Sequence, residues 1–139
     1  MSIRPLQRIL YAEDEPHIAA VARVSLEKIG GFTLCLCSSG QEALDQAAQF
    51  KPDLILLDVM MPGLDGPATL AAMRRIDTLR ETPVIFMTAK AQASELARYR
   101  ALGAADVISK PFAALKLAGQ LREIWKIFHD DDLPSNTAH

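Results

Sequence analysis

Five short apolar runs recur along the chain with helix-patterned stretches between them, and this alternation leaves few folds open. The runs are RILYAE (8–13), FTLCLC (32–37), DLILLD (53–58), PVIFMT (83–88) and DVIS (106–109). Several are apolar at consecutive positions instead of every second one, the pattern of parallel strands covered on both faces. The first helix is predicted over 15–29, with Ile18, Val21, Ala22 and Ile29 at helical spacing before Gly30 and Gly31. A second is expected over 39–49 behind Ser38 or Ser39 as cap, and a third from Pro67 through Leu70, Ala71 and Met73. A fourth lies near 92–102, and the last, over 112–128, places Leu117, Leu121, Ile124 and Phe128 on one stripe. Strands alternating with helices predict an α/β fold in which right-handed crossovers lay helices on both faces of a parallel sheet. Residues 1–128 form one domain on this reading, and HDDDLPSNTAH (129–139) has the composition of a flexible tail.

Composition narrows the function. Hydrophobic residues make up 50% of the 139, yet charges break them into runs well short of the ~18 to 20 apolar residues that span a bilayer, so no membrane association is expected. The N-terminus MSIRPLQRIL leads straight into a strand, without the apolar region and cleavage site of a secretory signal, which makes the cytoplasm the default compartment. A net charge of −2, with no Lys/Arg cluster interleaved with aromatics, argues against direct nucleic-acid binding. Cys35 and Cys37 would share one face of a strand, opposite Leu34 and Leu36, where packing explains them better than a metal or a disulfide.

In a doubly wound sheet the loops after the strand C-termini gather along one edge, and ligands bind there. Glu13, Asp14 and Glu15 follow the first strand, Asp58 ends the third, Thr88 the fourth, and Lys110 follows the fifth. Each has a bland role available: acids in a helix's first turn, a turn-capping aspartate, a β-branched strand residue, a surface lysine. Their joint placement at one edge is harder to explain that way. Carboxylates sharing a crevice repel unless a cation joins them, and Mg²⁺ suits one or two carboxylates plus phosphate oxygens. With an ammonium and a hydroxyl beside them, they describe a place where a phosphoryl group can arrive.

Four segments, ILYAEDEP, DLILLDVMMPGLDG, PVIFMTAK and GAADVISKPF, resemble in order and spacing those of response-regulator receiver domains of two-component signalling. The resemblance covers nearly everything before the tail. It implies a flavodoxin-like (βα)5 fold with a five-stranded parallel sheet in the order 2-1-3-4-5. It implies that Asp58 receives phosphate from a sensor histidine kinase or a histidine phosphotransfer protein, with Thr88 and Lys110 bonding phosphoryl oxygens. Mg²⁺ would be held directly by Asp14, Asp58 and the Met60 backbone carbonyl, with Glu13 acting through water. The Lys110–Pro111 peptide is expected to be cis. Such a domain is a timed switch more than an enzyme: it promotes its own phosphorylation, the acyl phosphate later hydrolyses, and a downstream protein reads the altered surface.

Two positions depart from the family pattern. Glu13 stands for the commoner aspartate, a mild change. Val107 stands where the family usually has Tyr or Phe, and a valine with one dominant rotamer cannot report the state of Thr88 by swinging a ring. Signalling is therefore expected through the loop after Thr88 and the fourth helix, with Val107 filling space beneath them. A haloacid-dehalogenase-type phosphotransferase is the rival enzyme class, but it needs an Asp two residues after the nucleophile, where this chain has Met60. The other rival is a receiver-like docking module that is never phosphorylated, against which the intact acid, hydroxyl and lysine set stands. No output domain follows within the 139 residues, so the chain reads as a stand-alone regulator or as a receiver from a longer protein.

Overall fold

The computed structural model describes residues 4–89 and 91–132, with side chains through 129. Its strands are β1 (Arg8–Ala12), β2 (Thr33–Cys37), β3 (Leu54–Asp58), β4 (Val84–Thr88) and β5 (Asp106–Ser109). Each lies within one residue of its predicted run. They form a single parallel sheet in the order β2-β1-β3-β4-β5, the flavodoxin-like arrangement expected. The helices are α1 (Pro16–Arg23), α2 (Gly40–Phe50), α3 (Gly66–Met73), α4 (Ala93–Ala101) and α5 (Leu117–Asp132).

Strand alternation sorts the interior into two layers. Leu10, Ile55, Leu57, Val84 and Phe86 face α2, α3 and α4, where they meet Ala43, Leu70, Met73 and Tyr99. Ile9, Tyr11, Leu54, Leu56 and Ile85 face α1 and α5, against Ala22, Leu26, Leu117 and Leu121. All five residues of β3 are buried, as its central place requires, and each of its leucines and isoleucine contributes about 1.5–3 kcal/mol by leaving water. Local caps fix the helix starts: the Ser39 hydroxyl accepts from the Glu42 amide while the Glu42 carboxylate accepts from Ser38, and Asp65 accepts from the Ala68 amide. Cys35 and Cys37 are free thiols on one strand face, their sulfurs 3.9 Å apart.

Two helices differ from their sequence patterns. The first is α-helical only over Pro16–Arg23 and then widens into π geometry over Val24–Ile29. The wider turn rotates the buried face onto Ala22, Ser25 and Leu26, leaving Val21 and Ile29 at 43% and 45% exposure, off the predicted stripe. The Ser25 hydroxyl donates to the Ala114 carbonyl at 2.6 Å, holding this segment against the loop before α5. That loop is the second difference. The Ala113 carbonyl accepts from the amides of Lys116 and Leu117, so the helix expected from 112 begins at Leu117. It also runs past 128 to Asp132, and His129 Nδ1 lies 2.9 Å from the Trp125 carbonyl with the two rings 3.9 Å apart. The tail predicted from 129 thus begins inside a helix, and residues 133–139 lie outside those described.

At the start of β3, Asp53 ties that strand to the entry of β1. Its carboxylate accepts from the amides of Gln7 (3.1 Å) and Arg8 (2.8 Å) and pairs with Arg4. Burial alone would raise this carboxyl, but the Arg8 amide, Arg4 and the Gln7 amide outweigh it and hold the group below the ordinary aspartate range.

Candidate functional site

The C-terminal ends of β1, β3 and β5 bring three carboxylates and one ammonium together. Glu13 and Asp14 directly follow β1, and Glu15 leaves the group by becoming the N-cap of α1, accepting from the His17 amide with Pro16 in the first turn. Of the acidic run EDE, then, one member has the local capping role and two do not. Asp58 is the last residue of β3 and is buried. One oxygen each from Glu13, Asp14 and Asp58 lie within 4.8 Å of one another.

Lys110 reaches into this group from beyond β5. Its Nζ stands 3.0 Å from Asp58 Oδ1 and 3.2 Å from Glu13 Oε1, with the side chain 13% exposed. The Lys110 amide donates to the Thr88 carbonyl at 2.7 Å, and the Lys110–Pro111 peptide is cis, as the resemblance implies. Met60, 78% exposed, turns its amide toward Asp58 Oδ1 at 3.3 Å. Thr88 ends β4 at 5% exposure. By strand alternation it continues the Val84–Phe86 side of the sheet, facing α4, whereas Glu13, Asp58 and Lys110 continue the side facing α1 and α5.

The electrostatics are those of an under-neutralised site. Burial and then the neighbouring Glu13 carboxyl push Asp58 above the usual aspartate range, with Lys110 only partly offsetting them. Asp14 is raised as well, by desolvation first and then by Asp58. Desolvation would lower the Lys110 ammonium, but its hydrogen bond to Asp58 and the charges of Glu13 and Asp58 more than reverse this and raise it. Three carboxylates against one ammonium leave about two negative charges, which a divalent cation with oxygen preference would neutralise. Donor chemistry, clustering and excess charge therefore all fit Mg²⁺ at Glu13, Asp14 and Asp58.

One supporting residue was not foreseen from the sequence. Tyr11, fully buried in β1, donates its hydroxyl to Glu13 Oε1 at 3.1 Å, and burial together with Glu13 keeps it protonated by raising its pKa. The only signal was a tyrosine two residues before an acid on the same strand face, which reads first as core. With the amide of Glu15 on Oε2 (3.2 Å) and Lys110 on both oxygens, Glu13 is held from three directions.

Known proteins resemble this chain in sequence and fold. The family model described as the response regulator receiver domain matches residues 9–122. Among curated proteins, the uncharacterized transcriptional regulatory protein YkoG of Bacillus subtilis (strain 168) is 39% identical over 114 residues, covering 82% of this chain and 49% of that protein. The response regulator MprA of Mycobacterium sp. (strain KMS) is 34% identical over 131 residues, covering 94% and 56%. The chain thus spans about half the length of these curated relatives. Among solved structures, chemotaxis protein CheY4 of Vibrio cholerae is 25% identical with a TM-score of 0.79, covering 86% of this chain and 98% of that one. The signal receiver domain of a signal transduction histidine kinase from Syntrophus aciditrophicus is 32% identical with a TM-score of 0.74, covering 86% and 90%. Among the described residues, no helix is long and apolar enough to cross a membrane.

Proposed function

The chain belongs to the response regulator receiver domain family of two-component signalling, and we propose that Asp58 is its phosphoacceptor. The phosphoryl group comes from the phosphohistidine of a sensor histidine kinase or a histidine phosphotransfer protein. An Asp58 carboxylate oxygen forms the new bond to phosphorus as the bond to the imidazole nitrogen breaks, and the imidazole keeps that electron pair. Lys110, already beside Asp58, pairs with one phosphoryl oxygen and Thr88 donates to another once drawn toward it, so that charge developing in the transfer is met by both. Asp14, Asp58 and the Met60 carbonyl would hold Mg²⁺ directly and Glu13 through water, and the bound ion supplies further positive charge to the phosphoryl oxygens. Water later hydrolyses the acyl phosphate, and the domain itself promotes both steps without turning over a separate substrate.

The observation that carries this reading is Lys110 Nζ at 3.0 Å from an Asp58 carboxylate whose neighbours are two further acids. Phosphorylation adds roughly −1.5 to −2 charges at that point. The new charge draws Lys110 and Thr88 inward and reshapes the surface toward α4, which a downstream protein reads. The name of the Bacillus relative, a transcriptional regulatory protein, leads us to propose transcription control as the output, reached by protein contact in the cytoplasm and not by this segment touching DNA. The test is Mg²⁺-dependent labelling by acetyl phosphate. Wild type should label at one site and Asp58→Asn should fall to background. A wild type that fails to label would instead be a docking module of receiver fold, and full labelling of Asp58→Asn would place the acceptor elsewhere.

A further inference from the structure

α4 sends one fully buried side chain into the sheet layer, beside a half-buried Leu96 and an ion pair from Arg100 to Asp106 of β5 at 3.3 Å. Of its residues Ala93–Ala101 only Tyr99 is buried, at 3% exposure. The Tyr99 ring meets Phe86 of β4 edge-on, with centroids 5.1 Å apart and planes at 81°. Phe86 stands opposite Val107 in the β4–β5 register and two residues before Thr88 on the same side of its strand. Val107 packs against the same layer, and its small side chain leaves room for a ring arriving from the helix. The far end of Tyr99 is polar: Arg98 donates to its hydroxyl at 3.0 Å, stacks over the ring at 4.8 Å and pairs with Glu95 at 3.2 Å.

Resting on the reading of Asp58 as phosphoacceptor, we propose that Tyr99 is the positioning residue that couples Thr88, through Phe86, to the placement of α4. A helix with one fully buried anchor and otherwise half-buried or exposed contacts has few of them to break, so a shift at the end of β4 is enough to reseat it. The aromatic contact reports on Thr88 from the helix, and β5 supplies only the space. Coupling is reciprocal, so the seating of α4 also sets how readily the phosphorylation-competent arrangement forms.

Beryllofluoride with Mg²⁺, a stable mimic of the aspartyl phosphate, separates the parts of this argument, because the fluorine resonances of bound ligand report occupancy independently of α4. Wild type and Tyr99→Phe should show bound fluorine together with amide shifts at 93–102. Tyr99→Leu, which keeps apolar bulk without the ring edge, should retain bound fluorine while the shifts at 93–102 shrink about five-fold. Its labelling rate with acetyl phosphate should change by a similar factor, whereas a ring that merely fills space would lower thermal stability and leave the rate alone. Wild-type-sized shifts in Tyr99→Leu, or their absence from wild type while fluorine is bound, would overturn the proposal. No bound fluorine in wild type would overturn the Asp58 assignment instead. Should Tyr99→Leu not fold, Val107→Phe crowds the same contact from β5, and unchanged shifts at 93–102 in that variant would equally defeat the coupling.

Discussion

Strand β3 has a buried aspartate beside each of its ends, and the two acids are in opposite condition. Asp53 accepts from two backbone amides, pairs with Arg4 and is held below the usual aspartate range. Asp58 faces two more carboxylates, shares its one lysine with Glu13 and is held above that range. Desolvation is the first influence on both. What differs is the company: donors fixed by the backbone at one end, rival acceptors at the other. The first arrangement strengthens the fold; the second withholds stability, which under the proposed function a cation and a phosphoryl group would supply.

The sharpest separation comes from Asp58→Asn, which should abolish labelling while leaving unfolding free energy unchanged or raising it by up to about 1 kcal/mol, since a crowded negative charge is removed. A marked loss of stability in urea titration would break the contrast. Asp53→Ala should do the reverse. Leaving the Gln7 and Arg8 amides without their acceptor costs about 2–4 kcal/mol, with little from the largely exposed Arg4, while labelling per folded molecule persists. Next, Asp14→Ala should weaken Mg²⁺ binding about ten-fold or more and Glu13→Ala by less, because only Asp14 is assigned a direct bond; calorimetry giving equal affinities for wild type and Asp14→Ala would remove that role.

A pH series on wild type and Asp53→Asn isolates the Asp53 end. Because its folded value is lowered, the unfolded chain binds the proton more tightly. The stabilisation is therefore complete above the ordinary aspartate value of about 4 and is lost as pH falls through the lower folded value. Asp53→Asn should flatten that acid limb in urea midpoints measured against pH. The smallest effect is expected from Tyr11→Phe, which removes one hydrogen bond to Glu13, worth about 1 kcal/mol, and should slow labelling only a few-fold; a loss as complete as that of Asp58→Asn would make Tyr11 part of the chemistry.

Much of this was legible in the sequence because it rests on periodicity and on strand ends. Apolar runs located every strand, and residues at or just past their C-termini supplied Glu13, Asp14, Asp58 and Lys110, which the structure groups, and Thr88 at the end of β4. What escaped depends on contacts between distant segments. The π turn is held by Ser25 on Ala114, eighty-nine residues away, and no local pattern announces it. Tyr11 looks like core because its neighbours are core, and Tyr99 looks exposed because it sits between Arg98 and Arg100. Asp53 reads simply as the first residue of a strand, since its partners lie at the entry of another.

By strand alternation Thr88 continues the α4 side of the sheet, and Lys110, with Glu13 and Asp58, the α1 and α5 side. The two layers are like the leaves of a book bound along one spine. Under the proposed function, a tetrahedral anion gripped by Lys110 from one leaf and Thr88 from the other would be a stitch through both. While the stitch lasts, opening either leaf strains the other, so amide exchange should slow in the two layers together and should recover in both when hydrolysis cuts the thread.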